Sequence, residues 1–323
     1  MLPVFYNEIK RIPTPSAGLA LGIASLGSIL ESILSAGGAI QTVSAVLASV
    51  FLLGVFCKFL FHPYLIKEEL THPVLGSILP AFTMALMVIS KAVGLYSPLI
   101  RQIIWFIAVM GHLSLLTAFV WYNIRHFSFE RVFPSWFIPT VGIIAAALTS
   151  PGGIFAELAD MIMYLGLINF AVTLPLITYR VFFLMGLADA AKPTIAVMAA
   201  PASLSLAGYL TIESDPSILL CGVLLCLAVL LTGIVYITIP GLIMRLSPGP
   251  GYAAFTFPLV ISATALYKTY EVFSVNPAIM QYAEKLYWFA MAELIIAVII
   301  VGYVFFVYLK RLYNYVYMHG KKG

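Results

Sequence analysis

An aromatic residue directly before a proline marks the most distinctive stretch of this sequence. The stretch 251–264 opens with small residues, contains Phe257-Pro258 and continues with serine, alanine and threonine. Proline removes one backbone donor and clashes with the carbonyl four residues earlier, so it kinks or interrupts a helix. An aromatic ring at such a point could close a narrow passage. The alternative is that Phe257 is an ordinary packing residue, one of 22 phenylalanines in the chain.

The chain repeats this combination of proline and small residues. Pro15, Pro80, Pro139, Pro201 and Pro258 follow one another at intervals of 65, 59, 62 and 57 residues. Intervals of such regular length indicate an internal repeat. We expect each proline to kink its helix and so to shape a passage along a shared axis. A single domain over residues 1–323 is predicted, with repeats at approximately 13–62, 73–122, 136–182, 193–244 and 251–309.

The residue before each repeat proline differs in size. Thr14, Leu79, Ile138 and Ala200 occupy this position in the first four repeats and are candidates to line the passage. Phe257 occupies it in the fifth repeat and is the candidate to close the passage. Phe255 lies two positions earlier, about 200° away around a helix, so the two rings cannot both face one axis.

The composition requires a lipid environment for these elements. Of 323 residues, 62% are hydrophobic and 9% are charged, and the mean hydropathy is +1.05. Soluble domains carry about 25% charged residues, so the composition is that of an all-α polytopic membrane protein. About 20 apolar residues in a helix cross a bilayer. Ten transmembrane spans are predicted on that rule, at roughly 15–34, 40–62, 73–92, 98–122, 136–150, 158–182, 193–212, 217–244, 251–270 and 284–309.

The ten spans alternate in kind and pair into five helical hairpins. Odd spans are rich in small and weakly polar residues, whereas even spans are rich in bulky aliphatic ones. Small residues mark helix faces that pack closely or border a cavity, and bulky aliphatic residues can face lipid. We predict an inner ring of five odd helices around a pore, inside an outer ring of five even helices. The alternative is tight helix packing without a lumen.

Positive charge predicts the orientation of the spans, because lysine and arginine favour the cytoplasmic side. If the N-terminus is cytoplasmic, the 17 lysines and arginines all lie in cytoplasmic segments except Lys91, Arg101, Lys268 and Lys285. We therefore expect a multi-pass protein of the inner or plasma membrane with both termini in the cytoplasm. The net charge of +4 fits this topology and does not indicate nucleic-acid binding.

Charged residues are scarce where the passage would run. Lys91 and Lys268 lie near the outer ends of odd spans, where they could concentrate anions at a pore mouth. They could equally be ordinary interfacial lysines. Glu293 lies well inside the tenth span and is a candidate for proton coupling or for a structural hydrogen bond. His112 and Asn169 are expected to hydrogen-bond between helices. No catalytic constellation, metal-ligand spacing or cofactor motif is present, so we expect neither an enzyme nor a metal or cofactor site.

The segment Ala254-Phe255-Thr256-Phe257, with Ala200-Pro201-Ala202 and the five-hairpin plan, resembles the tellurite-resistance/dicarboxylate transporter family. That family includes the bacterial TehA type and the plant slow anion channels. The resemblance covers almost the whole chain. It implies ten helices, an inner ring that forms the pore, a homotrimer, and a phenylalanine gate at the second Phe of the segment, which is Phe257.

Two transport hypotheses follow from these expectations, and a membrane scaffold that transports nothing is the alternative to both. The first is a gated channel that conducts small monovalent anions passively and favours those that dehydrate easily, because no fixed charge is expected in mid-pore. The second is a secondary carrier or exporter of C4-dicarboxylates such as malate, or of toxic oxyanions such as tellurite, with Glu293 as the coupling group. Small inorganic or organic anions are the expected partners in both.

Overall fold

The chain is helical throughout the part that the structure describes. The computed structural model describes residues 6, 8–184, 186–277 and 279–320, with side chains up to residue 315 of the last helix. Helices make up 84% of it, and no strand occurs among these residues. Lys321 and Lys322, which were counted toward the cytoplasmic charge, lie outside the described residues, as does the side chain of His319.

Long helices and short 3-10 helices alternate along the chain. The α-helices are α1 (Ser16–Leu34), α2 (Ala39–Phe61), α3 (Tyr64–Thr71), α4 (Leu75–Ile78), α5 (Ala81–Val93), α6 (Pro98–Arg125), α7 (Phe137–Thr140), α8 (Ala145–Leu148), α9 (Ala156–Phe183), α10 (Ala200–Ile212), α11 (Ile218–Arg245), α12 (Thr256–Val275) and α13 (Ala283–Gly320). The 3-10 helices are Phe129–Arg131, Pro134–Trp136, Gly142–Ile144, Gly153–Phe155, Lys192–Ala199, Pro250–Phe255 and Met280–Tyr282.

These elements form two concentric rings. We call α1, α4–α5, the segment 134–148, the segment 192–212 and the segment 250–275 inner segments 1 to 5. The outer helices are α2, α6, α9, α11 and α13. Each inner segment packs against the next, and the fifth packs against the first, so the inner ring is closed. Each outer helix packs on the inner segment of its own hairpin and on the following one, and thereby covers the seam between them.

Burial separates the two rings. In the spans of inner segments 1, 2 and 4, the most apolar window is 56%, 72% and 78% buried, whereas the five outer helices are 28% or 33% buried. The outer helices therefore leave most of their apolar side chains free to face lipid. The predicted arrangement of an inner ring within an outer ring is confirmed.

Eight of the ten predicted spans lie in described helical stretches that are long and apolar enough to cross a membrane, and the spans 136–150 and 251–270 do not. The predicted span 136–150 is divided into α7, the 3-10 helix Gly142–Ile144 and α8. Pro139 and Gly142 explain the division, because proline lacks a backbone donor and glycine weakens a helix. The predicted span 251–270 begins as the 3-10 helix Pro250–Phe255, and its α-helix continues to Val275.

Other boundaries also differ from the predictions. The last helix, α13, runs 38 residues to Gly320, well past the predicted end at 309. The helix α3 fills the predicted connection between the second and third spans. No apolar pattern predicts α3, because its helical faces carry Lys67, Glu68 and Glu69.

The repeat prolines lie at or near the starts of helices and do not bend continuous ones. The prediction that each proline kinks its helix is therefore corrected. Pro15 and Pro80 directly precede α1 and α5. Pro201 and Pro258 are the second and third residues of α10 and α12, and Pro139 lies in the short helix α7. The first turn of a helix has backbone donors without intrahelical partners, so proline is tolerated there. The prolines thus mark where an irregular start gives way to regular helix.

Candidate functional site

A cavity opens where the five inner segments begin. The inner segments all run in the same direction, because an outer helix returns the chain after each of them. We call the side where they begin the proximal side and the opposite side the distal side. The cavity has a volume of about 520 Å³, and all five inner segments contribute to its wall. The lining includes Pro15, Gly18 and Leu21 of the first, Ile78, Ala81 and Met84 of the second, Ile138, Val141 and Gly142 of the third, Val197, Ala200, Pro201 and Leu204 of the fourth, and Ala254, Phe257 and Pro258 of the fifth.

The cavity wall is almost entirely apolar. Its polar side chains are His72, Ser135 and Thr194, and no lysine, arginine, aspartate or glutamate lines it among the described residues. The imidazole Nδ1 of His72 accepts backbone N–H groups of the following turn. Ser135 accepts a hydrogen bond from Ser77, and Thr194 donates to the carbonyl of Ala191. An ion in this cavity would therefore meet no fixed charge.

Phe257 lines the cavity, and its backbone lies beside Gly22, one position past Leu21 of α1. Its side chain is 7% exposed and forms part of the wall. Phe255 is fully buried and packs on Tyr252, with ring centroids 5.0 Å apart. The two rings therefore point in different directions, as their spacing requires. Among the described residues, Leu21 is the last residue of α1 that lines the cavity, and Leu204 is the last residue of α10 that does so.

The backbone beside Phe257 is held by a close contact between the first and fifth inner segments. A Cβ added at Gly22 would lie 2.5 Å from Thr256 Oγ1 and 3.2 Å from the backbone nitrogen of Phe257. Thr256 Oγ1 donates to the carbonyl of Ala253 at 2.7 Å and lies 3.2 Å from the carbonyl of Gly18. A glycine at position 22 lets α1 approach this closely. The contact fixes the backbone position from which the Phe257 ring projects.

Side chains of outer helices satisfy the backbone carbonyls of the broken third inner segment. Lipid offers no hydrogen-bond donor, so carbonyls freed by a helix break at membrane depth need partners within the protein. The prediction that His112 and Asn169 hydrogen-bond between helices is confirmed. The paired groups are the carbonyl of Pro139 with His112 at 3.1 Å, that of Thr140 with Asn169 at 2.9 Å, that of Ala146 with Trp105 at 3.1 Å, and that of Ser150 with Arg101 at 2.8 Å.

The four candidate lining residues lie in different surroundings. Ile138 and Ala200 line the cavity. Thr14 and Leu79 are 2% and 4% exposed and are not among the residues of its wall. Thr14 instead donates its hydroxyl to Glu69, which the sequence did not single out. The hydrogen bond joins residues 55 positions apart, so no local pattern indicates it.

Lys91 and Lys268 lie in the distal parts of the second and fifth inner segments. The ammonium of Lys91 donates to the hydroxyl of Ser28 on α1 at 3.2 Å. Lys268 forms no ion pair within the described part of the chain. Lys268 and Arg101 are close enough to Lys91 to repel it electrostatically. Three basic groups therefore gather on the side opposite the cavity, with the carboxylate of Glu271 close to Lys91 and Lys268.

Glu293 lies on α13, away from the cavity wall. Its carboxylate interacts with the hydroxyl of Ser262 on α12. That hydroxyl lies 2.9 Å from Thr232 Oγ1 on α11. One carboxylate oxygen of Glu293 and the hydroxyl of the nearby Tyr236 are buried without a hydrogen-bond partner. Glu293, Ser262 and Thr232 together connect α12, the helix that carries Phe257, to the outer helices α13 and α11.

A closed inner ring of helices around an apolar cavity, covered by a second ring of apolar outer helices, is an architecture suited to a membrane channel or transporter. The sequence profile described as voltage-dependent anion channel, SLAC1, matches residues 13–309. The chain belongs to this family of anion channels and transporters, which confirms the family resemblance inferred from the sequence. It is also similar to an uncharacterized transporter of Methanocaldococcus jannaschii, with 25% identity over 268 residues that cover 74% of this chain and 77% of the relative.

Proposed function

We propose that this protein is a gated channel of the cell membrane that conducts small monovalent anions passively and is closed by Phe257. The observation that carries this proposal is that the aromatic ring of Phe257 lines a cavity to whose wall all five inner segments contribute. A ring at this point separates the cavity from the closely packed distal part of the inner ring. Movement of one side chain would be enough to join them.

The cavity wall suggests how such a channel would select anions. Without a fixed charge it binds no ion strongly, so the ion gives up hydration with little compensation. Anions that dehydrate easily, such as nitrate, would pass more readily than chloride. The regular inner helices begin around the cavity, and the positive ends of their macrodipoles favour negative charge there. The channel would therefore prefer anions and discriminate weakly among them.

Orientation and assembly complete the proposal. By the distribution of lysine and arginine, the proximal side is cytoplasmic, as are both termini. The family resemblance implies a homotrimer with one pore in each subunit. Bulky apolar side chains on the outer helices would then face lipid or a neighbouring subunit.

Electrical recording of the variant Phe257→Ala tests the gate. In planar bilayers or oocytes with chloride, nitrate or malate, we expect the conductance to rise at least about tenfold, which corresponds to a barrier lowered by about 1.4 kcal/mol. The matched control is Phe255→Leu, which changes a neighbouring ring outside the cavity and should conduct like the wild type. An unchanged current from folded Phe257→Ala protein would rule out the gate.

A secondary carrier is the second candidate function, and Glu293 is the observation that favours it. A partly buried carboxylate with an unpartnered oxygen is suited to taking up a proton. This function predicts saturable, proton-dependent uptake of malate or tellurite into liposomes, with no unitary currents from the wild type or from Phe257→Ala. Under this hypothesis Glu293→Gln abolishes the proton dependence.

A further inference from the structure

A buried ion pair lies on the proximal side, behind the wall of the cavity. Lys58 of α2 and Glu69 of α3 are 5% and 7% exposed, and the ammonium nitrogen lies 2.5 Å from Glu69 Oε1. The ammonium also donates to the carbonyl of Ile12 at 3.0 Å and to Thr14 Oγ1 at 2.9 Å. Thr14 donates its hydroxyl to Glu69 Oε2 at 2.6 Å. All three ammonium protons and both carboxylate oxygens therefore have partners inside this cluster.

The cluster joins two segments that form the mouth of the cavity. Thr14 directly precedes Pro15, and Glu69 lies three positions before His72; both Pro15 and His72 line the cavity. The amide of His72 donates to the carbonyl of Glu69 at 3.0 Å. The start of the first inner helix and the turn before the second are thus fixed to each other through Lys58.

The stability of the fold does not by itself explain two buried charges. An apolar pair of similar volume fills such a space without removing ions from water, and is often as stable or more so. An apolar pair cannot, however, orient Thr14 by directed hydrogen bonds. An apolar pair also cannot place a cation and its counter-charge beside the mouth of the cavity, whose wall carries no charge.

We infer that Lys58 and Glu69 position the mouth of the cavity and set its charge. Lys58 and Thr14 hold the start of α1 against α3. Glu69 neutralises the ammonium of Lys58, which donates to Thr14. An arriving anion therefore meets a mouth of fixed shape to which this pair contributes no net charge. The inference rests on the proposed channel function, and Lys58 and Glu69 are positioning residues that act through Thr14 and Pro15.

Single-charge variants test the electrostatic part in the Phe257→Ala background. The measured quantity is the proximal nitrate concentration that gives half-maximal current. Glu69→Gln leaves Lys58 without its counter-charge, so this concentration should fall about three- to tenfold. Lys58→Met leaves the carboxylate of Glu69 without its counter-charge and should raise the half-maximal nitrate concentration. Both shifts should shrink at high ionic strength. Shifts in the same direction, or none, would overturn the inference, because a purely structural pair predicts no opposite signs.

Two further variants separate position from charge. Lys58→Met/Glu69→Met removes both charges and fills the space, so the half-maximal concentration should return to the parent value while the unitary conductance falls. Thr14→Val keeps the charges and the volume but removes the hydroxyl, and should also lower the unitary conductance without a shift in concentration. If both variants keep the parent conductance, the positioning role is refuted, even if the single-charge variants fail to fold.

The matched control removes a carboxylate from a more exposed ion pair in the same N-terminal region. Glu8 pairs with Arg11 at 3.5 Å, and their side chains are 29% and 57% exposed. Water and salt screen such a pair, so Glu8→Gln should leave both the half-maximal concentration and the unitary conductance unchanged. A shift as large as that of Glu69→Gln would show that any nearby carboxylate has this effect and would remove the special role of the cluster.

A binding measurement separates failure of this inference from failure of the channel proposal. If Phe257→Ala passes no current, the channel proposal fails. The nitrate-dependent rise in unfolding temperature of the detergent-solubilised protein then tests the mouth alone, since a ligand stabilises the state that it binds. Glu69→Gln should reach half of this rise at a lower nitrate concentration than the parent. Equal nitrate dependence in the two proteins would refute the charge effect at the mouth.

Discussion

The proximal and distal halves of the inner ring differ in backbone regularity and in width. On the proximal side, inner segments 3, 4 and 5 start as 3-10 helices, the short helix α4 starts segment 2, and a cavity of about 520 Å³ separates the segments. On the distal side α10 and α12 are regular α-helices whose small residues are buried. The cavity therefore lies where most of the inner segments are irregular or just beginning their regular helices.

Small residues explain why the distal half closes. A Cβ added at Gly208 on α10 would lie 2.5 Å from the side chain of Ile144 in the third inner segment. Ala207 beside it is fully buried. Helices that lack bulky side chains on a shared face approach closely. Small residues on the inner segments thus favour close packing in one half and border a cavity in the other.

The largest expected effect contrasts the two halves by chemical accessibility. Ala200 lines the cavity, and Ala207 lies seven positions later on the same helical face, about 10 Å further along. With Cys57, Cys221 and Cys226 replaced by alanine, Ala200→Cys should react with a charged thiol reagent about a hundredfold faster than Ala207→Cys, equivalent to a local opening of about 2.7 kcal/mol. Mass spectrometry measures the rates.

Adding Phe257→Ala sharpens this contrast. If the ring of Phe257 separates the two halves, its removal should accelerate the labelling of Ala207→Cys and leave that of Ala200→Cys unchanged. Equal labelling rates at the two positions in the parent protein would contradict the description of a closed distal half.

A smaller effect is expected at the seam between α1 and α12. Gly22→Ala places a methyl group 2.5 Å from Thr256 Oγ1, so something must move, and we expect destabilisation by about 1–3 kcal/mol. Gly18→Ala is the control, because the nearest atom to its added Cβ lies at 3.6 Å, an ordinary contact. Thermal unfolding in detergent should show a lower Tm for Gly22→Ala alone. Equal Tm values would show that the seam can relax without loss.

The smallest effect is expected from the distal basic groups. Lys268→Gln removes one positive charge near Lys91 and Arg101. We expect currents in the Phe257→Ala background to fall about two- to threefold at low ionic strength, because fewer anions gather at that mouth. The difference should disappear in high salt, where such charges are screened. A loss that persists in high salt would indicate a structural role for Lys268.

Features with a local or periodic signal were predictable from the sequence. The recurring prolines gave the number of hairpins, and the alternation of small and bulky spans gave the two rings, because both depend on residues close together in the chain. The different directions of Phe255 and Phe257 followed from helix geometry alone. The family resemblance rested on these same repeated features.

Features that depend on distant partners were not predictable. The third inner segment breaks where its carbonyls can pair with His112 and Asn169, which lie on different helices. Thr14 was expected in the passage wall, but its hydroxyl is bonded to a carboxylate 55 positions away. A periodic pattern carries no information about such pairings, because they arise only when the rings close.

The broken third inner segment has a consequence for biogenesis. It is short, and its freed carbonyls depend on His112, which precedes it in the chain, and on Asn169, which follows it. Alone in lipid, it would leave these groups without donors. The segment should therefore remain near the translocon until α9 has been synthesised, and then enter the bilayer together with α6 and α9. The order of synthesis thus sets the earliest moment at which the inner ring can close.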